Sequence, residues 1–440
     1  MDAILQQIHS LSTVEEIGRL QENLKNAHEV LHDHALNGGL LQIVAATLDQ
    51  TRHSLGVLHM LAAQSTVLAE ADMQPFFNQT RIFIALCDPV QIQKDTKLFV
   101  DVCRKFTEVA TKLRGPCVMY AIKPLQRAVQ KLLADNERPH TLTPIHADLL
   151  QLCLLGGCYH IGERFMDEFP VLYVSPKTMR LVALDYLRYW YYTGMVCVGL
   201  KKMPRAIESF LLAITMPATA LSTVAVESYK KLLLVNLIEN GELVTLPSYT
   251  CSVVSRHLKA LTKPYHDIAA KFAENDLDGL RSKIEKSFTI LEGDKNVGLA
   301  RQVASALTYR QIQRLTFTYM TLSLEAMATK VGLEGADDAE RILVAMISEG
   351  KICACIDQTT RMVRFDDREE DCSSVAMTQR LEEQMGKIVA MSRRVDDVDV
   401  AISCSQAYLI KATANRGASS GGELAENIAI QESLQLQGFS

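Results

Sequence analysis

Apolar residues in this chain recur three and four positions apart, segment after segment, and proline and glycine fall between the segments rather than inside them. Ile4, Ile8 and Leu11 start one such series, and Ile17, Leu20 and Leu24 continue it. Leu55, Leu58, Leu61 and Leu68 mark another, and Leu98, Val102, Phe106 and Ala110 a third. Side chains at that spacing share one face of an α-helix, so each segment carries a stripe that a neighbour must cover. Loops are expected at Gly38 and Gly39, at Asp88 and Pro89, at Gly115 and Pro116, and at Pro139. A chain that is 48% hydrophobic but only 6% aromatic builds its core from Leu, Ala, Val and Ile, which suits packed helices better than a β-sandwich. At 440 residues it exceeds one compact core, and two or three units are expected.

The region from 140 to 240 is more regular. Pro144 stands near the start of a helix expected over 145–155, where its missing N–H costs nothing. Trp190, Gly194, Cys197, Ala206, Phe210, Ala213 and Pro217 follow the spacing of a tetratricopeptide-type hairpin. Gly194 and Ala206 are small where two antiparallel helices approach, Trp190 and Phe210 fill wider gaps, and Pro217 stops the second helix. The pattern departs from the repeat at Thr193, at Cys197 and by one position at Pro217. Further helical segments over 227–237, 249–261 and 264–272 extend the series, and together they describe a solenoid.

Between 296 and 366 the period changes. A helix is expected over 301–319, and Leu322, Ser323 and Leu324 lead into a short one ending at Ala328. Gly332 and Gly335 bracket a turn, Asp337 and Asp338 open the next helix where its dipole favours carboxylates, and Gly350 closes it. Then Ile352, Ala354 and Ile356 point one way and Lys351, Cys353, Cys355 and Asp357 the other. A polar turn over 358–361 leads to Met362, Val363, Arg364 and Phe365. Three short helices followed by a β-hairpin make a winged helix. Beyond an acidic linker over 367–374, Leu381, Ile388, Val395, Ile402 and Leu409 stand seven residues apart, with Met385, Met391 and Val398 widening the stripe. One long helix that needs a partner along one side is expected. Gly417, Ser419, Ser420, Gly421 and Gly422 mark a flexible tail over 412–440.

Several function classes are disfavoured. A net charge of −5 advertises neither a nucleic-acid nor an anionic-membrane partner. The helix a winged helix would lay into DNA carries Glu334, Asp337, Asp338, Glu340 and Glu349 against Arg341 alone, a set that repels phosphate. The 11 cysteines are scattered through apolar stretches with no CxxC pair, as expected in the reducing cytosol or nucleus. No signal peptide is expected, because Asp2 opens a segment without a basic region and apolar run. Apolar runs such as 150–155 and 232–235 are far shorter than the ~20 residues of a membrane span.

Candidate chemistry is sparse. His32 and His34 form an HxH pair, but Gln42 and Ala45 stand where a metalloprotease of that pattern needs Ser and its third ligand, Asp. Cys353 and Cys355 lie on one side of a strand with no second pair, and His146, Cys153, Cys158 and His160 have poor chelating geometry. No phosphate loop or nucleophile elbow appears. Tyr186, Tyr189, Trp190, Tyr191 and Tyr192 sit at helical spacing and are expected to pack the solenoid. No enzyme, metal or cofactor is expected.

A helical solenoid running into a winged helix resembles the PCI module, shared by subunits of the proteasome lid, the COP-9 signalosome and translation initiation factor three. The likeness is to the signalosome's PCI subunits in particular, and covers roughly residues 53 to 395. It is carried by HSLGVL at 53–58, TPIHADLLQLCLL at 143–155, ESYKKLLLVNLI at 227–238 and LVTLPSYTCSVVSRHLK at 243–259. NVGLARQV at 296–303, IQRLTFTYMTLSLEAMA at 312–328 and GKICACID at 350–357 extend it. The resemblance implies a non-catalytic scaffold in a complex that deneddylates cullins and so regulates cullin–RING ubiquitin ligases. It implies winged helices joined side by side, here with the first and eighth subunits, and C-terminal helices gathered in a bundle.

The organisation expected is helical repeats over 1–195, a PCI module over 196–366 with its winged helix at about 296–366, a linker and bundle helix over 367–411, and the tail. Edge strands offer unpaired backbone groups, so Lys351, Ile352, Cys353, Cys355, Asp357, Met362 and Arg364 are the expected wing contacts. Leu381, Ile388, Val395, Ile402 and Leu409 are the expected bundle contacts. The alternatives are a PCI subunit of the proteasome lid or the initiation factor, or a free-standing solenoid that binds peptides in its concave groove.

Overall fold

The computed structural model describes residues 2–12, 16–36, 40–134, 140–175, 181–366 and 374–417. Gly38, Gly39, Pro139, the acidic stretch 367–373 and residues 418–440 of the expected tail lie outside them. The described chain is mostly α, with helical repeats followed by a small winged-helix sheet. It divides into two compact units. The first holds residues 1–349 and 356–363, the second residues 350–355 and the chain from 364 onward.

The first unit opens with α1 (Asp2–Leu11), α2 (Ile17–Asn26), α3 (His28–Leu36), α4 (Leu40–Thr47) and α5 (Ser54–Thr66). Then come α6 (Met73–Leu86), α7 (Pro89–Lys94), α8 (Thr96–Leu113), α9 (Pro116–Leu133), α10 (Pro144–Leu155) and α11 (Tyr159–Glu168). The loops at Asp88 and Gly115 fall as expected. The Asp88 carboxylate caps α7 by accepting from the Val90 N–H at 3.2 Å, and Gly115 takes φ +59° before Pro116 opens α9.

The series continues with α12 (Ala183–Gly199), α13 (Met203–Ile214), α14 (Thr223–Glu239), α15 (Ser252–Leu261) and α16 (Lys263–Ala273). Successive helices pack on one another, α8 on α9, α10 on α12, α12 on α13 and α13 on α14, so one apolar core runs continuously from Ile4 to Leu307. The α12–α13 hairpin explains its small residue directly. A Cβ on Gly194 would lie 2.5 Å from the Phe210 ring, so the ring occupies the space that a side chain would need.

Two helices were not anticipated, α17 (Leu277–Lys286) and α18 (Phe288–Gly293). Asp276 caps the first by accepting from the Gly279 N–H at 2.9 Å. They precede α19 (Val297–Thr318), which packs on α14 and α17. A buried polar chain fastens this region. The Lys231 ammonium donates to Asn296 Oδ1 at 2.6 Å, Asn296 Nδ2 donates to the Tyr265 hydroxyl at 2.8 Å, and that hydroxyl donates to Asp294 at 2.8 Å. Lys230 bridges Asp294 and Glu227 at 2.8 and 2.7 Å. Burial lowers the Lys231 pKa, and against it the nearby Glu227 and Asp294 carboxylates favour the charged form, with the hydrogen bond to Asn296 giving the ammonium a buried partner.

The winged helix follows, with β1 (Thr321–Ser323), α20 (Leu324–Val331), α21 (Ala336–Ser348), β2 (Ala354–Asp357) and β3 (Met362–Phe365), the strands in the order β1-β3-β2. Gly332, at φ +75°, ends α20 in the left-handed region, and Gly350, at φ +67°, follows α21. Leu322, Leu324, Met327, Val331, Leu343, Met346 and Val363 are buried.

The second unit contains α22 (Val375–Ser403) and α23 (Gln406–Gly417). The single long helix expected here is broken at Cys404 and Ser405. The Ser405 side chain accepts from the Tyr408 N–H at 3.3 Å, capping a new helix. Leu409 therefore sits on α23, not on the helix that carries the other four heptad positions. The expected tail also starts later, since α23 runs to Gly417.

Candidate assembly surfaces

The wing strands form by alternation. Along β2 the residues are alternately half-buried and exposed, and along β3 Met362 and Arg364 face solvent while Val363 and Phe365 are buried. Lys351, Cys355 and Asp357 are exposed and Cys353 is half-buried. Ile352 is only 8% exposed and belongs to the interior, so it offers nothing to a neighbour. Asp357 organises the turn. Its carboxylate accepts from the Thr359 N–H at 3.0 Å and from the Thr360 hydroxyl at 2.8 Å, and the Thr359 and Thr360 hydroxyls hold its pKa down at about 2. Arg364 pairs with Asp366 at 3.0 Å across exposed surface.

The strand order limits what the wing can do. β3 is central, so its backbone groups are already paired, and Met362 and Arg364 reach outward only through side chains. The two edges belong to β2 and β1. The β1 edge was missed in the sequence, where Leu322 to Leu324 read as a lead into a helix. Beside it, Phe317 is 90% and Met320 82% exposed, the two most exposed large apolar side chains described. The three residues of β1 are too few to display a period, and Thr316, Phe317 and Thr318 shortly before them belong to α19.

The second candidate surface is α22. At 1.5 Å per residue its 29 residues span roughly 43 Å. Leu381, Met385, Ile388, Met391, Val395, Val398 and Ile402 are all exposed, Ile388 at 66%, and so is Leu409 on α23. The rest of the helix mixes charged and small residues with the exposed Val389 and Val400, and Lys387 pairs with Glu383 at 2.6 Å. An apolar stripe of this length in water is what a helix shows before its partner is present.

The candidates for chemistry are accounted for structurally. His146 is buried at N3 of α10, where its Nδ1 accepts from the Thr143 N–H at 3.1 Å and lies 2.7 Å from the Thr143 hydroxyl, closing a capping box. Its ring packs on Phe165 and Tyr189, and burial pulls its pKa down to about 4. Cys153 is buried, and burial pushes its thiol up to about 12, away from thiolate reactivity. Tyr189 is buried, Trp190 lies edge-on to Tyr186 and Tyr189, and Tyr191 tilts against Phe210, so the aromatic stretch packs between helices. His32 and His34 lie on α3, half-exposed. Among the described residues no group of three His, Cys, Asp or Glu side chains is placed to hold a metal, and no helix is long and apolar enough to cross a membrane.

The family model described as COP9 signalosome complex subunit 3, N-terminal helical repeats, matches residues 14–254, and the PCI domain model matches residues 285–367. The chain is 33% identical over 390 residues to a COP9 signalosome complex subunit 3 of Dictyostelium discoideum, covering 89% of this chain and 92% of that one. It is 32% identical over 415 residues to a protein of the same name from Arabidopsis thaliana, covering 93% of each.

Proposed function

The chain belongs to the family of COP9 signalosome complex subunit 3, and from that premise we propose that it is a scaffold subunit of the signalosome, with no chemistry of its own. It influences cullin deneddylation, and through it cullin–RING ubiquitin ligases, only by holding the complex together. One observation carries this reading. The helix that follows the PCI match exposes its whole apolar stripe, from Leu381 to Ile402, to solvent. Such a surface is unfavourable in a free protein and favourable in a bundle of helices from several chains.

In this reading residues 1–195 are the repeat region and 196–366 the PCI module, with the terminal helices as the bundle element. The wing joins two neighbours, the first and eighth subunits. Two edge strands, β1 and β2, supply one pairing edge for each, with Lys351, Cys353, Cys355, Asp357, Met362 and Arg364 around the β2 side. Leu381, Ile388, Val395 and Ile402, with Leu409 on the second helix, enter the bundle. The complex, and this chain with it, works in the cytoplasm and nucleus.

The test is co-purification of the tagged full chain from cells beside a truncation ending at Ser374. The full chain is expected to bring down a particle that deneddylates cullins, and the truncation to lose most subunits. A full chain that runs as a stable monomer without those subunits overturns the proposal.

A further inference from the structure

A groove in the first unit shares no residue with either assembly surface. It has a volume of about 520 Å³ between α17, the start of α18, α19 and the winged-helix residues Leu333, Arg341 and Ile342, within the size range of pockets that hold a ligand. From α17 come Arg281, Ile284 and Glu285, at i, i+3 and i+4, and Phe288 joins them from the start of α18. From α19 come Val297, Arg301, Ala304, Ser305 and Thr308 at the same helical spacing. Two helical stripes therefore face the same space. The α19 stripe is 12 residues long from Val297 to Thr308, so the trough is roughly 18 Å long. That length matches about five residues of extended chain.

The lining has two characters. Ile284, Phe288, Val297, Leu333 and Ile342 give an apolar floor, and Phe288 is exposed although it is a large aromatic. Three guanidinium groups, Arg281, Arg301 and Arg341, face one lining carboxylate, Glu285, in a chain whose net charge is −5. Arg341 is engaged by Asp338 of its own helix at 2.7 Å, an exposed pair. Arg281 and Arg301 are exposed and have no partner among the described residues. An anion alone leaves the floor wet, and an apolar helix alone leaves the arginines without partners. An acidic segment with embedded aliphatic or aromatic residues satisfies both.

We propose that this groove binds a short acidic peptide segment of another protein, its carboxylates on Arg281 and Arg301 and its apolar side chains on Phe288 and Ile342. The inference does not depend on signalosome membership, since it rests on the groove alone. The test is fluorescence anisotropy with the purified full chain and a fluorescein-labelled peptide EEDLFDEE. Saturable binding is expected. The double variant Arg281→Glu with Arg301→Glu is expected to weaken it at least tenfold, the milder Arg281→Gln a few-fold, and melting curves identify any variant that has lost its fold. Replacing the peptide's Leu and Phe by Ser is expected to cost at least tenfold, and raising salt from 0.05 to 0.5 M several-fold. The proposal is overturned if no saturable binding is seen, or if a lysine-for-acid peptide binds equally. It is also overturned if the Ser-substituted peptide binds as well as its parent and tripolyphosphate displaces it, because the groove is then a simple anion site.

Discussion

Helices α14 and α22 both carry long series of apolar side chains and meet opposite fates. α14 is enclosed by α13, α16 and α19, and even its Lys231 and Asn236 are buried with hydrogen bonds made. α22 buries none of its stripe. The free energy of the first helix is drawn from its own chain, at about 25 cal/mol for each Å² of apolar surface removed from water. The corresponding free energy of the second is unspent until another chain covers it. A solenoid helix and an assembly helix therefore differ less in composition than in whether the same polypeptide supplies the lid. Perturbations inside the repeats should register as loss of folding, and perturbations on α22 as loss of partners.

The largest effect is expected at Phe210, which is fully buried and fills the space left by Gly194. Phe210→Ala should destabilise the chain by about 4 kcal/mol, seen as a lower denaturant midpoint at unchanged slope. A loss under 1 kcal/mol would mean that the hairpin is not part of the cooperative core.

Next in size is acidification. His146 has a folded pKa of about 4 against an ordinary 6.5. Between those values the unfolded chain binds the proton and the folded chain does not, so stability falls as pH drops from 6.5 towards 4. The shift corresponds to a loss on the order of 3 kcal/mol. His59, also near 4 through burial, acts in the same direction. His146→Asn keeps a side-chain acceptor for the Thr143 N–H and should flatten the profile in this window. An unchanged profile would place the acid sensitivity elsewhere.

Gly194→Ala comes third. The added methyl meets the Phe210 ring at 2.5 Å, and overpacking of that kind costs about 2 kcal/mol. Pairing it with Phe210→Leu should recover part of the loss, because the two residues contend for one space. Simple additivity of the two would show that the clash relaxes by a route not involving that ring.

These positions also show what the sequence disclosed. Gly194 and Phe210 were readable because a close helix contact needs one small and one large residue at a fixed spacing, and both lie within 16 positions of each other. The wing was readable because period two replaced helical spacing. β1 was not, since three residues are too few to display a period. Nor was the break at Ser405, where the heptad spacing continues unbroken through a capping residue. The Lys231, Asn296 and Tyr265 chain was invisible for another reason: its members are 65 and 31 residues apart, and only the folded packing of α14, α16 and α19 joins them. The groove between α17 and α19 was hidden likewise, because α17 itself was not anticipated.

The smallest effect on the chain's own stability is expected where the assembly effect is greatest. Ile388→Ser with Val395→Ser removes two apolar side chains from the middle of the α22 stripe, both largely exposed. Surface substitutions of this kind stay within about 0.5 kcal/mol, so the melting curve should barely move. In cells the same double variant should lose most co-purifying subunits, because a bundle that cannot bury the centre of one helix loses its core contacts. Glu383→Gln, which breaks the exposed Lys387 pair on the other side of the helix, is the control and should leave both readouts unchanged. If the Ser variant instead melts much earlier while keeping its partners, the α22 stripe is covered by its own chain. The contrast with α14 then disappears, and the terminal helix becomes one more element of the solenoid.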